Sequence, residues 1–270
     1  MPAPRIHILP AAGAPEAVVV RRGPSDWWHL LRWRLDTLTV EPGAWFSGRL
    51  YPRRCDVSPD GRLLGYFAWT SGEPPWDGYY AVSRVPWLRA LAAWRVGSTW
   101  ASGCEFQPDG AFAMDLDPTA PPDHGTFPGR RGRRTPFQIA GRMAFVERDV
   151  SRELRNGWRL RPTAEPESAL TIERDQPSAP GATLRAIHEG HDFDEHAIEA
   201  ALLRYELDGA PIDGVVWADW DATGRLLVAT DSGRIEVRER RDGGTAITWS
   251  HDLNELEPAP APAPAWAERW

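Results

Sequence analysis

Lysine is absent from this 270-residue chain, so all 31 basic residues are arginine. Its cationic contacts are therefore planar, forked and able to stack, without the compact point charge of an ammonium. Two cysteines, Cys55 and Cys104, are too few for a disulfide framework or a four-thiolate metal site. No apolar run approaches the roughly 20 residues that span a bilayer as a helix. The opening residues Met1 to His7 lack the continuous apolar core of a signal peptide, so the expected location is cytoplasmic, with no membrane partner. There is no Gly-rich phosphate loop, and no Gly-x-Ser-x-Gly surrounds Ser83 to make it a nucleophile. A net charge of −7 argues against a general nucleic-acid binder. What the chain does have is a hydrophobic content of 42% and 15 tryptophans, enough for a sizeable core rich in structural indoles.

Its organising pattern is a strand, a tight turn and a second strand. Cys55-Asp56-Val57-Ser58-Pro59-Asp60-Gly61-Arg62-Leu63-Leu64-Gly65-Tyr66-Phe67-Ala68 reads this way because Pro59 fixes its own φ and Gly61 supplies one that side chains resist. The pattern returns without a gap in Cys104-Glu105-Phe106-Gln107-Pro108-Asp109-Gly110-Ala111-Phe112, placing Gly61 and Gly110 49 residues apart (110 − 61). A third copy, Trp217 to Thr230, repeats Gly61-Arg62-Leu63-Leu64 as Gly224-Arg225-Leu226-Leu227. Gly224 lies 114 residues beyond Gly110 (224 − 110), about two further periods. Short strands recurring near this period are the signature of a β-propeller. The expectation is an all-β, propeller-like domain over residues 1–257 with about five irregular blades, the structural alternative being a two-sheet sandwich. Pro86 to Trp94 reads as one short helix, since Pro suits a first helical turn and Leu and Ala favour helix. The Pro/Ala-rich stretch 258–270 reads as a flexible tail.

The stretch Gly43 to Phe106 resembles a set of uncharacterised bacterial proteins, through Trp45, Gly48-Arg49, Arg54, Asp56, Ser58-Pro59-Asp60-Gly61, Tyr66-Phe67-Ala68 and Ala81 to Leu91. Its Ser-Pro-Asp-Gly element is similar to turns of WD40-like propellers. The third copy departs from the WD pattern, because Trp220-Asp221 precedes a turn. The resemblance carries no known activity and transfers no catalytic residue.

Two clusters could carry chemistry. His188, His191 and His196, interleaved with carboxylates, could hold a divalent metal and activate a water, although their spacing matches no zinc-hydrolase signature. Arg130, Arg131, Arg133 and Arg134 lie among Pro and Gly, suited to an anion or an acidic partner rather than to stacked bases. Asp56, Asp60 and Asp109 read as turn caps. The segment 79–94 interrupts the repeat and supplies Tyr79, Tyr80, Arg84, Trp87 and Arg89, residue types that dominate interface hot spots. These features favour a non-catalytic binding or scaffolding module that meets another protein through its irregular loops and needs no cofactor. The competing class is a metal-dependent hydrolase at His188, His191 and His196.

Overall fold

The structure, a computed structural model, describes residues 3–23, 26–70, 78–96, 103–114, 135–140, 150–161, 169–178, 181–189, 202–241 and 244–270. Among these residues the strands form five small sheets that follow one another along the chain, as the blades of a β-propeller do. The first holds β1 (Arg5–Pro10), β2 (Glu16–Arg22), β3 (Trp27–Arg34) and β4 (Thr39–Ser47). The second holds β5 (Arg49–Leu50), β6 (Asp56–Val57), β7 (Leu63–Trp69), β8 (Gly78–Arg84) and β9 (Ala90–Arg95). The third is β10 (Cys104–Phe106), β11 (Phe112–Met114) and β12 (Ile139–Ala140). After the helix α1 (Ser151–Arg155), the fourth holds β13 (Arg159–Leu160), β14 (Ala169–Asp175), β15 (Thr183–Glu189), β16 (Leu202–Leu207) and β17 (Ala210–Pro211). The fifth is β18 (Val215–Trp220), β19 (Leu226–Thr230), β20 (Arg234–Arg241) and β21 (Gly244–Asp252). Five separate sheets replace the alternative of two packed against each other.

The chain divides into two compact units. One comprises Leu9–Val20, Ser25–Asp149 and Pro258–Trp270; the other comprises Met1–Ile8, Arg21–Pro24 and Val150–Glu257.

In the first unit, strand alternation explains why β7 and β8 are apolar almost throughout. Side chains of a strand point to opposite faces in turn. Leu64, Tyr66 and Ala68 join one buried cluster with Leu9, Val18 and Leu30 of the first sheet. Phe67, Tyr80 and Val82 point the other way, into a cluster with Phe106, Phe112 and Met114 of the third. Both faces of the second sheet are therefore buried, which a blade flanked by neighbours requires. The other unit repeats the scheme between its two sheets, where Ile172, Leu184 and Tyr205 meet Trp220, Leu226 and Val228.

The repeat runs through all five sheets, further than the Asp-Gly turns disclose. Each sheet has a turn closed by a backbone bond from its first residue to its last, over spans that vary between copies. The N–H groups of Ala11, Ser58, Gln107, Gln176 and Asp221 donate to the carbonyls of Glu16, Leu63, Ala111, Ala182 and Arg225, at 2.8, 2.9, 2.8, 2.9 and 3.0 Å. Successive turns start 47 (58 − 11), 49 (107 − 58), 69 (176 − 107) and 45 (221 − 176) residues apart. The copy missing between Gly110 and Gly224 is thus the Gln176–Ala182 turn, which has no Asp-Gly. Gly61, Gly110 and Gly224 adopt φ of +73°, +85° and +85°, the left-handed region their turns demand.

Two residues before each turn start stand Leu9, Asp56, Glu105, Arg174 and Asp219. Asp56, only 1% exposed, accepts the Phe106 N–H of the next sheet at 2.7 Å through Oδ2. Arg174 reaches the matching position of its own next sheet, donating to the Trp220 carbonyl at 3.0 Å and to Asp219 Oδ1 at 2.6 Å. An acid there takes the backbone amide, and a base there takes the backbone carbonyl.

One local expectation is corrected. Residues 86–94 are not a helix: Trp87 to Arg89 are irregular, and the chain then enters β9. Ala92, Ala93 and Trp94 pair with Val82, Ala81 and Tyr80 of β8. The open edge of β8 offers a ladder of hydrogen bonds, and this outweighs the few tenths of a kcal/mol per residue by which Leu and Ala favour helix. The short helix of the fold is instead α1 at Ser151–Arg155.

Candidate functional site

The loop between β8 and β9 is built on fixed backbone. The Val85 N–H donates to the Arg62 carbonyl at 3.0 Å, and the Trp87 N–H donates to the Arg84 carbonyl at 2.7 Å. The Pro86 carbonyl accepts the Ala44 N–H at 3.0 Å. Gly43 lies so close beneath Pro86 that a Cβ there would meet the Pro86 oxygen at 2.2 Å. The two arginines that flank the loop are thereby held at its rim, Arg84 half-buried and Arg89 exposed.

Both arginines already hold a segment of the chain. The Pro/Ala run leads into a short 3-10 helix, Ala265–Glu268, and Ala267 is fully buried. Arg84 Nε donates to the Arg269 carbonyl at 3.0 Å. Arg89 Nε lies 3.4 Å from Glu268 Oε1. The Trp270 ring meets Phe137 edge-on at 5.4 Å, and Phe137 in turn stands against Phe106 and Phe112 at 6.1 and 5.8 Å. The end of the segment expected to be a loose tail is therefore docked.

The tyrosines named with this loop lie elsewhere. Tyr80 is fully buried and its Oη accepts the Gly103 N–H at 3.1 Å. Tyr79 is 7% exposed, and burial pushes its phenol up to about 12. Both belong to the core because β8 buries both faces, so neither offers its ring to an outside partner. Ser83 is likewise buried, with Oγ donating to Tyr66 Oη at 3.4 Å, and burial raises the Tyr66 phenol far above its ordinary value. Trp87 remains half-buried at the loop.

Of the three histidines, His191 and His196 lie outside the described residues, as do Arg130, Arg131, Arg133 and Arg134. His188 is a buried residue of β15, between Leu170 and Leu203 in register. It lies near the ion pair of Arg152 and Glu153. Burial alone would raise the Glu153 carboxyl, but Arg152, with a smaller contribution from His188, holds it below its ordinary value. Asp219 balances the other way: burial lifts its carboxyl although Arg174, Trp158 and the Trp220 N–H all donate to it. Among the described residues, no three His, Cys, Asp or Glu side chains converge to hold a metal ion. No helix among them is long and apolar enough to cross a membrane.

Sequence reasoning missed Phe137, Glu268, Arg269 and Trp270. The available signal was Trp266-Ala-Glu-Arg-Trp270, because two indoles after a polar-sided Pro/Ala run are costly to leave wholly in water. No protein-family model matches the chain, and no curated protein matches it in sequence.

Proposed function

We propose that the chain is a non-catalytic protein-binding module whose contact surface is the β8–β9 loop, with Arg84, Trp87 and Arg89 at its centre. One observation carries this reading: the surface already grips a peptide segment by a backbone carbonyl, a carboxylate and an aromatic ring. Forked arginine donors suit such contacts, and Arg and Trp are enriched where binding energy concentrates. Propeller folds present loops of this kind on repeated, rigid blades. The five-sheet arrangement also accords with a distant WD40-like relationship. Two buried free thiols accord with a reducing, cytoplasmic setting.

The test is recovery of partners from the native host with the full chain and with an Arg84→Glu/Arg89→Glu variant of unchanged circular dichroism. The expected result is loss of a wild-type partner by the variant. Recovery of an identical set by both proteins would remove this surface from the function.

A further inference from the structure

The docked segment describes the kind of ligand this surface accepts. Resting on the binding role proposed above, we infer that the partner presents a short segment of the same chemistry: an extended Pro/Ala approach, one helical turn bearing an acidic side chain, and an aromatic ring two residues later. Residues 258–270 then act as a resident competitor that the partner displaces.

Three features support this. The contacts are complementary in kind, with Arg89 facing Glu268, Arg84 on the Arg269 carbonyl, and Trp270 edge-on to Phe137. The polar part of the grip is also open to water, while Trp270 packs against the Phe106 and Phe112 cluster. The Arg89 and Glu268 side chains are 50% and 38% exposed, and exposed pairs of this sort hold little against water. Burial in the helical turn is confined to Ala267, while Trp266 remains 52% exposed. Finally, the lead-in is built to release. Pro258 to Pro262 are exposed, and an alternating Pro/Ala stretch is a semi-rigid spacer without internal hydrogen bonds. Letting go of the last six residues therefore unravels no sheet.

A tethered segment competes at an effective concentration on the order of 1 mM. Against a free segment with an intrinsic Kd of about 10 µM, that weakens apparent binding about 100-fold. The probe is a fluorescein-labelled peptide of residues 258–270, titrated by anisotropy into full-length chains. Wild type should bind it on the order of 100-fold more weakly than a Glu268→Ala/Trp270→Ala chain, whose own segment no longer fits. Adding Arg89→Glu to that chain should abolish binding, and a peptide carrying Glu268→Arg should restore it. The restoring arm also shows that the substituted chains remain folded. Equal binding to wild type and the released chain, no binding to either, or indifference to Arg89→Glu would each overturn the inference. If the peptide fails while host partners still depend on Arg84 and Arg89, the binding role stands and only the ligand chemistry is wrong.

Discussion

Replacing Arg174 by methionine would strand the Asp219 carboxylate in the buried layer between β14 and β18. Asp219 is 5% exposed, and Arg174 Nη1 donates to its Oδ1 at 2.6 Å. Removing one partner of a buried pair costs about 3–5 kcal/mol, because the other charge is left without compensation. Arg174 retains 18% side-chain exposure, and Trp158 and the Trp220 N–H still donate to Asp219. The low end, about 3 kcal/mol near pH 7, is therefore expected. The pH dependence follows from the direction of the shift. Burial already holds the Asp219 carboxyl above its ordinary 3.8, and losing Arg174 lifts it further. Between the unfolded and folded values the folded chain binds the additional proton, so the variant gains stability relative to wild type as pH falls. Each pH unit within that window is worth up to about 1.4 kcal/mol. The assay is urea denaturation followed by tryptophan fluorescence near pH 7 and near pH 5, with slopes compared as well as midpoints. A deficit below about 1 kcal/mol near pH 7, or one that stays constant down to pH 5, would refute a buried charge pair here.

Three further outcomes are expected. Asp56→Ala should cost about 2–3 kcal/mol in the same assay, since the Phe106 N–H loses its acceptor inside the core, whereas Asp56→Asn should cost clearly less because its amide oxygen can still accept. Gly65→Ala should cost more than about 2 kcal/mol, because its Cβ would lie 2.4 Å from the Phe112 ring. Gly110→Ala, with open space around a φ of +85°, should cost only about 1–2 kcal/mol of backbone strain; comparable melting temperatures for the two would contradict the packing described. Burial pushes the Cys104 thiol well up, and Cys55 is also buried. Neither should react with Ellman's reagent until denaturant is added, and rapid labelling of the native chain would show that these sulfurs are accessible.

The blades were legible wherever a turn used Asp-Gly, because Gly61, Gly110 and Gly224 mark positive φ in the sequence itself. The turns at Ala11–Glu16 and Gln176–Ala182 close with a backbone bond of the same kind but different residues, so the hydrogen bond persists where the motif does not. Helix 86–94 was misread because intrinsic propensity is local, while the edge of β8 that claims Ala90–Arg95 comes from residues 78–84. Tyr79 and Tyr80 fit an interface by composition. Their burial depends on having a packed sheet on each side, which no window of sequence reveals. That Trp270 would be partly buried had a signal, but where it docks did not, since its partner Phe137 stands far back in the chain and outside any repeat copy.

The Arg21 side chain sets a condition on how the molecule is made. It is 2% exposed, and it donates to the carbonyls of Leu253 at 2.7 Å and Asn254 at 3.2 Å, with Leu253 standing 232 positions further along the chain. At about 5–20 residues per second, a ribosome needs roughly 10–50 seconds to supply those acceptors after Arg21 has emerged. Throughout that interval a guanidinium meant for the interior must stay in water, so β2 cannot settle at that end however early its valines collapse. The unit containing Arg21 is thus completed only once Leu253 and Asn254 have emerged, and a nascent chain halted before Leu253 should remain open to proteolysis around β2.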